Sequence, residues 1–198
     1  MKQIRSHPYM CFDALLAMIV KDVFPQSHFS QDYFAEQFGV TIPYGEHTKI
    51  KNVRFSNNIE EYGTSVNTND INVFFDKNKI PLSISFIPAN YIDEATFDVF
   101  LIENCQNAYV VFAFCYGILY NEPLNANIGH VSLLNGFVST TYSLEIYDPG
   151  PRNPGMKVVK IDNMFYAMKR RGGVYLLKKL SFHNHNTCFK KSESGRTK

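Results

Sequence analysis

The stretch Cys11-Phe-Asp-Ala-Leu-Leu-Ala-Met-Ile-Val-Lys-Asp22 constrains this chain more than any other. It consists almost wholly of strong helix formers and is apolar on nearly every side, with Pro8 shortly before it and Pro25 beyond its end. Proline suits the entry to a helix but not its interior, so the two prolines bracket one helix over 11–22. A helix that is apolar nearly all round has no face to offer solvent and belongs in the centre of a fold. The run imitates a secretory signal only in part. Met1 to Arg5 is basic, but Asp13 interrupts the apolar run, Lys21 and Asp22 follow it, and no small-x-small cleavage site is in place. It is also too short for a bilayer, which needs about 20 apolar residues. The expectation is a cytoplasmic protein with no membrane partner.

The chain has 198 residues, 45% of them hydrophobic, and a net charge of +2. An aromatic content of 15%, with no Trp, excludes disorder for most of its length. No period or heptad run marks a repeat or coiled coil. Basic residues cluster only in the last few positions, so no nucleic-acid partner is expected. The division expected is a working domain over 1–181 and a disordered basic tail over 182–198. Cys11, Cys105, Cys115 and Cys188 show no Cys-x-x-Cys spacing, and His183, His185 and Cys188 fall in the tail without an acidic partner. Neither a metal nor a cofactor is expected. Cys105 follows an apolar helical stripe and Cys115 ends an apolar strand, which suits buried reduced thiols in a reducing compartment.

Further elements follow from local signals. Ser30 caps a helix over Gln31–Phe38 that Gly39 stops. Residues 40–68, rich in Asn, Gly and Thr, read as mostly loop, with Tyr44, His47 and Tyr62 placed to border a cleft. A helix is predicted from Asp70 to Lys79 and an alternating strand over Leu82–Ile87. Asp93 caps a helix whose apolar positions Ala95, Val99, Phe100 and Ile102 share a face. Ala108 to Cys115 reads as a central strand buried on both faces. Strands at His130–Phe137 and Leu144–Asp148 flank the polar turn 139–143. Asp162 caps a last helix to Arg171, Gly172 and Gly173 break it, and Val174–Leu180 forms a final strand. Helices first and antiparallel sheet later indicate an α+β fold.

Three residues point to one chemistry. Cys11 starts the central helix, where unpaired N–H groups and the helix dipole stabilise a thiolate. His130 heads one strand of a hairpin and Asp148 ends the other. A turn centred near Ser139 or Thr140 pairs residue i with 278 − i or 280 − i. Either register sets His130 opposite Asp148 or one step diagonal to it, on one face. A carboxylate there holds an imidazole in the tautomer that accepts a thiol proton.

Cysteine at the start of an amino-terminal central helix, Gly-His at a strand start and Asp-Pro after the next strand resemble the papain-like cysteine peptidase superfamily. The likeness is greatest to the bacteriocin-processing (double-glycine) peptidases and their stand-alone relatives. It runs over roughly residues 3–180 and implies a papain-like fold, a helical half packed on an antiparallel sheet. It also implies a Cys11–His130–Asp148 triad acting on a peptide or peptide-like substrate through an acyl-enzyme. The family places an oxyanion-hole Gln about six residues before the cysteine; that position is Arg5 here, and Gln3 is the glutamine the sequence offers. Phe12 and Asp13 stand where the family carries residues such as Gly or Trp. Ser-His-Pro-Tyr-Met-Cys11 with its Ala-Leu-Leu helix is also similar to the butirosin-pathway acyltransferase family, which implies transfer to an amine in place of water. A degenerate module that binds a peptide without cleaving it is the non-enzymatic alternative.

Overall fold

The structure, a computed structural model, describes residues 1–122 and 127–180. Its backbone of organisation is a six-stranded antiparallel sheet. In chain order its strands are β4 (Leu82–Pro88), β5 (Ala108–Cys115), β6 (Gly129–Val138), β7 (Ser143–Asp148), β8 (Gly155–Lys160) and β9 (Gly173–Lys179). Spatially they run β4-β9-β5-β6-β7-β8, so the last strand of the chain lies between the first two.

Alternation along β5 explains why helices cover both faces. Val111 packs with α1 (Cys11–Val23), α2 (Gln31–Phe38) and α3 (Thr68–Lys77), through Leu15, Leu16, Ile19, Phe34 and Phe75. Its neighbours Val110 and Phe112 point the other way, onto α4 (Phe97–Cys105) and α6 (Ile161–Arg170), where they meet Phe97, Leu101, Met164 and Phe165. Period-two side-chain direction thus divides one apolar run between two cores. The expectation of a strand buried on both faces holds, and so does the α+β class. The segregation of helices before sheet does not. α4 and α6 are the crossovers that lead into β5 and β9, and they close the face opposite α1.

Several local expectations match. α1 is apolar and buried along most of its length. Ser30 accepts the Tyr33 N–H at 3.2 Å, and Gly39 ends α2 at φ 81°. Others need correction. Loop does prevail over 40–68, as expected, but within it β1 (Val40–Pro43), β2 (Val53–Ser56) and β3 (Gly63–Thr64) form an unexpected three-stranded sheet ordered β2-β1-β3. These strands are too short for alternation to show in sequence. β8 is a further strand without a sequence signal. Thr68 and Asn67 start α3 earlier than expected, with the Asn67 side chain accepting the Asn69 N–H. Asp93 caps a 3-10 turn, Glu94–Thr96, and α4 buries Phe97 and Leu101 while Val99 and Ile102 are exposed. A helix this apolar leaves its buried face to packing. Cys105 is exposed at its end, because the Phe97–Leu101 stripe stops a turn earlier. α6 starts at Ile161 without a side-chain cap, so Asp162 lies inside its first turn. The expected tail over 182–198 lies outside the described residues.

Candidate active site

The approach to Cys11 is fixed before the helix begins. The Tyr147 hydroxyl donates to Ile4 O at 2.9 Å, the Ser6 N–H to Pro149 O at 2.7 Å, and Arg5 Nε to Pro151 O at 2.7 Å. These bonds staple residues 4–6 to the chain leaving β7. Buried Gln31 adds to this, accepting the His7 N–H at 2.8 Å and donating to Arg5 O at 3.2 Å. Tyr9 then takes a left-handed turn at φ 65°, unusual for a bulky residue, with its ring edge-on to Tyr62 at 5.5 Å. The turn delivers Cys11 to the first helical position. Met10 provides no side-chain cap, and the N–H groups of Cys11 and Phe12 have no partner among the described residues. The positive end of α1 is left open beside the Cys11 sulfur.

His130 and Asp148 come together through hairpin register. Leu133 pairs with Tyr147 and Leu134 with Ile146, the 280 − i register, and a bulge follows between Leu134 and Gly136. Asp148 therefore stands diagonal to His130, and its Oδ1 meets His130 Nε2 at 2.7 Å. Exposure is 8% for His130 and 1% for Asp148. With Nε2 held by the carboxylate, the nitrogen left for Cys11 is Nδ1. Phe114 and Tyr116 stand edge-on to the imidazole at 5.6 and 5.2 Å and shield it from water.

The carboxylate is held from four directions. Oδ1 also accepts the Gly150 N–H at 2.7 Å, while Oδ2 accepts the Tyr120 hydroxyl at 2.9 Å and Lys157 Nζ at 2.7 Å. Burial pushes its pKa up, but the bond and charge of His130, with Lys157 and the Gly150 N–H, hold it well below the usual carboxylate range. On His130 burial acts downward. The Cys11 sulfur, a charge and hydrogen-bond partner of the ring, acts with Asp148 to outweigh burial and raise the imidazole to about 9. The site thus favours a positive ring.

Cys11, His130 and Asp148 therefore meet in one place. Gln3 does not join them by any bond: it is exposed and makes no hydrogen bond with the described residues. Arg5, at the position the resemblance gives to glutamine, holds the Pro151 carbonyl instead. The open N–H groups of Cys11 and Phe12 are the donors at hand for an oxyanion. Sequence reasoning missed Tyr120, Gly150 and Lys157. Asp-Pro-Gly is a turn signal that announces the Gly150 contact, and a side chain there would crowd Asp148 Oδ1 at 2.9 Å and the His130 ring at 3.5 Å. Lys157 lay in an unassigned strand and gave no signal.

A cavity of about 440 Å³ opens nearby, lined by residues that include Arg54, Tyr62, Thr64 and Arg171. Tyr62 and Thr64 tie it to the active-site helix, through the Tyr9 ring and through the Asp13 carboxylate. Tyr62 therefore does border a cavity, whereas Tyr44 and His47 are exposed. Among the described residues no group of His, Cys, Asp and Glu is gathered to hold a metal ion, and no helix is long and apolar enough to cross a membrane. No protein-family model and no curated protein matches this chain.

Proposed function

We propose that this chain is a papain-like thiol enzyme that opens a peptide or amide bond through an acyl-enzyme on Cys11. The observation that carries the reading is the orientation of His130, whose Nε2 is committed to Asp148 at 2.7 Å while the Cys11 sulfur acts on the ring from the first turn of α1. A histidine so held has one nitrogen free to take and return a proton.

The steps follow from these atoms. Nδ1 takes the thiol proton, and the thiolate attacks the substrate carbonyl carbon. The developing oxyanion is received by the N–H groups of Cys11 and Phe12. The imidazolium then gives its proton to the leaving amine as the C–N bond breaks, which leaves a thioester on Cys11. Water attacks that thioester, His130 takes its proton, and the acid is released with the thiol restored.

An amine in place of water makes the same thioester a donor for acyl transfer, and the described residues serve both outcomes alike. Incubation with an activated thioester, with and without amine acceptors, followed by intact-mass analysis tests the reading. The expected result is a transient adduct on Cys11 that is absent in Cys11→Ala and accumulates in neither His130→Ala nor the boiled protein. A Cys11 that alkylates no faster than free cysteine near neutral pH, with no adduct, leaves a peptide-binding module as the surviving reading.

A further inference from the structure

Over Met156–Val158, β8 carries its side chains the wrong way round for a sheet edge, before Val159 turns inward onto the core in the ordinary way. Met156 and Val158 are 41% and 60% exposed, while Lys157 turns inward and is 18% exposed. Alternation on an amphipathic edge strand ordinarily buries the apolar residues and leaves lysine in water. Here the inward position is spent on an ammonium group.

Its destination is specific. Asp148 pairs in register with Gly155, which has no side chain, and Lys157 reaches across diagonally to Oδ2 at 2.7 Å. Its Nζ also sits 4.3 Å from the centre of the Tyr120 ring, whose hydroxyl donates to the same oxygen. Lys157 and Tyr120 occupy Oδ2, so Oδ1 is left for His130 and the Gly150 N–H. The four acceptor sites of a carboxylate are then filled, and the group cannot turn without losing bonds. An inward lysine can also serve merely to protect a sheet edge from pairing, so the two roles must be separated.

Resting on the thiol-enzyme reading above, we propose that Lys157 is a positioning residue for Cys11 chemistry: it locks Asp148 against His130 and sets the upper pH limit of the sulfur–imidazole pair. The charge argument has a definite sign. An unopposed Asp148 carboxylate stabilises imidazolium, and Lys157 offsets part of that charge, so removing it makes the imidazolium persist to higher pH. Other ionisable groups around the pair are Tyr175 on β9, which acts on Cys11, Tyr116 and Tyr120 from the α5 segment (Tyr116–Leu119) and its end, Tyr147 on β7, and Glu122 and Arg152, which act on Tyr116. Of the tyrosines, Tyr120 is the one that bonds Asp148.

The test is the rate of Cys11 alkylation by iodoacetamide across about pH 4 to 10, with the His130 ring followed by nitrogen NMR. Lys157→Met and Lys157→Gln are compared with Lys157→Arg. Loss of charge is expected to move the alkaline limb and the His130 titration upward by about half a unit to one unit, and Lys157→Arg is expected to restore both. Lys157→Gln keeps the edge polar, so it reads the charge even where Lys157→Met aggregates. An alkaline limb and a His130 titration that stay put in a folded Lys157→Gln overturn the proposal alone. A wild-type Cys11 no more reactive than free cysteine at about pH 5 to 6 overturns the thiol-enzyme reading and this proposal with it.

Discussion

At Asp148 four donors share two oxygens, and the balance among them determines what the neighbouring imidazole can do. Replacing the carboxylate by an amide tests that balance. Asp148→Asn removes the charge that favours imidazolium and lets the ring turn, so turnover is expected to fall on the order of a hundredfold or more. The His130 titration, read by NMR, should move down from about 9. A titration that does not move would show that Asp148 plays no part in holding the pair. The same pair makes stability depend on pH. The folded His130 keeps its proton up to about 9, against an ordinary value of 6.5, so native protein binds the extra proton between those two points. Its contribution is therefore complete below about pH 6.5 and is lost as pH rises through about 9. Urea midpoints measured between those limits should fall in the wild type and fall less in His130→Gln. Asp148 acts at the other end: its lowered pKa contributes stability above the ordinary carboxylate range and loses it only in strong acid.

α1 carries a second carboxyl that the proposed chemistry does not use. Asp13 is fully buried, accepts the Thr64 hydroxyl at 2.5 Å and leaves its Oδ1 without a partner. Burial pushes its pKa up to about 7, against the pull of the Thr64 bond and its own N–H and with a small upward push from Asp32. Native protein thus holds a proton here that the unfolded chain has lost, and stability declines as pH rises from about 4 to about 7. A shift of this size corresponds to roughly 4 kcal/mol. Asp13→Asn is expected to flatten the decline and to raise the melting temperature above about pH 7, as scanning calorimetry would show. If the mutant melts lower at every pH, the carboxylate is required to tie β3 to α1. Asp13 also shows how far the sequence could be read at this scale. Long elements with a strong pattern, α1 and β5 above all, were legible because their own residues decide their state. The His130–Asp148 contact was legible because a hairpin offers only two registers around a given turn. β1 to β3 were not, because strands of two to four residues are too short to show alternation, and β8 was not, because it sets Met156 and Val158 outward around an inward Lys157. The Asp13–Thr64 and Lys157–Asp148 contacts were hidden with them, because each ends on one of these unsignalled strands.

The order β4-β9-β5 makes the closing of the sheet the last step that the chain sequence allows. Strands β5 to β8 follow one another as neighbours, and each pairs with the strand just made. β4 has no such partner until β9 has crossed by α6 and entered the gap. Entry depends on two glycines at the mouth of β9. Gly172 lies at φ 149°, and a Cβ on it would come within 1.9 Å of Ala113 O on β5. A Cβ on Gly173 would come within 2.2 Å of Ile87 O on β4. Both obstacles are backbone atoms held in ladders, so neither can swing aside as a side chain does. β9 must then separate from β4 or β5, and the Val174, Leu176 and Leu177 side chains that join the two cores lose their packing. Gly173→Ala is accordingly expected to cost several kcal/mol, at the upper end of single substitutions, and to do so through both cores. Guanidinium unfolding followed by amide exchange distinguishes this from a local effect. Global insertion predicts that protection falls in β4 and in β5 together, whereas loss confined to residues around 173 would mean that the sheet closes without β9.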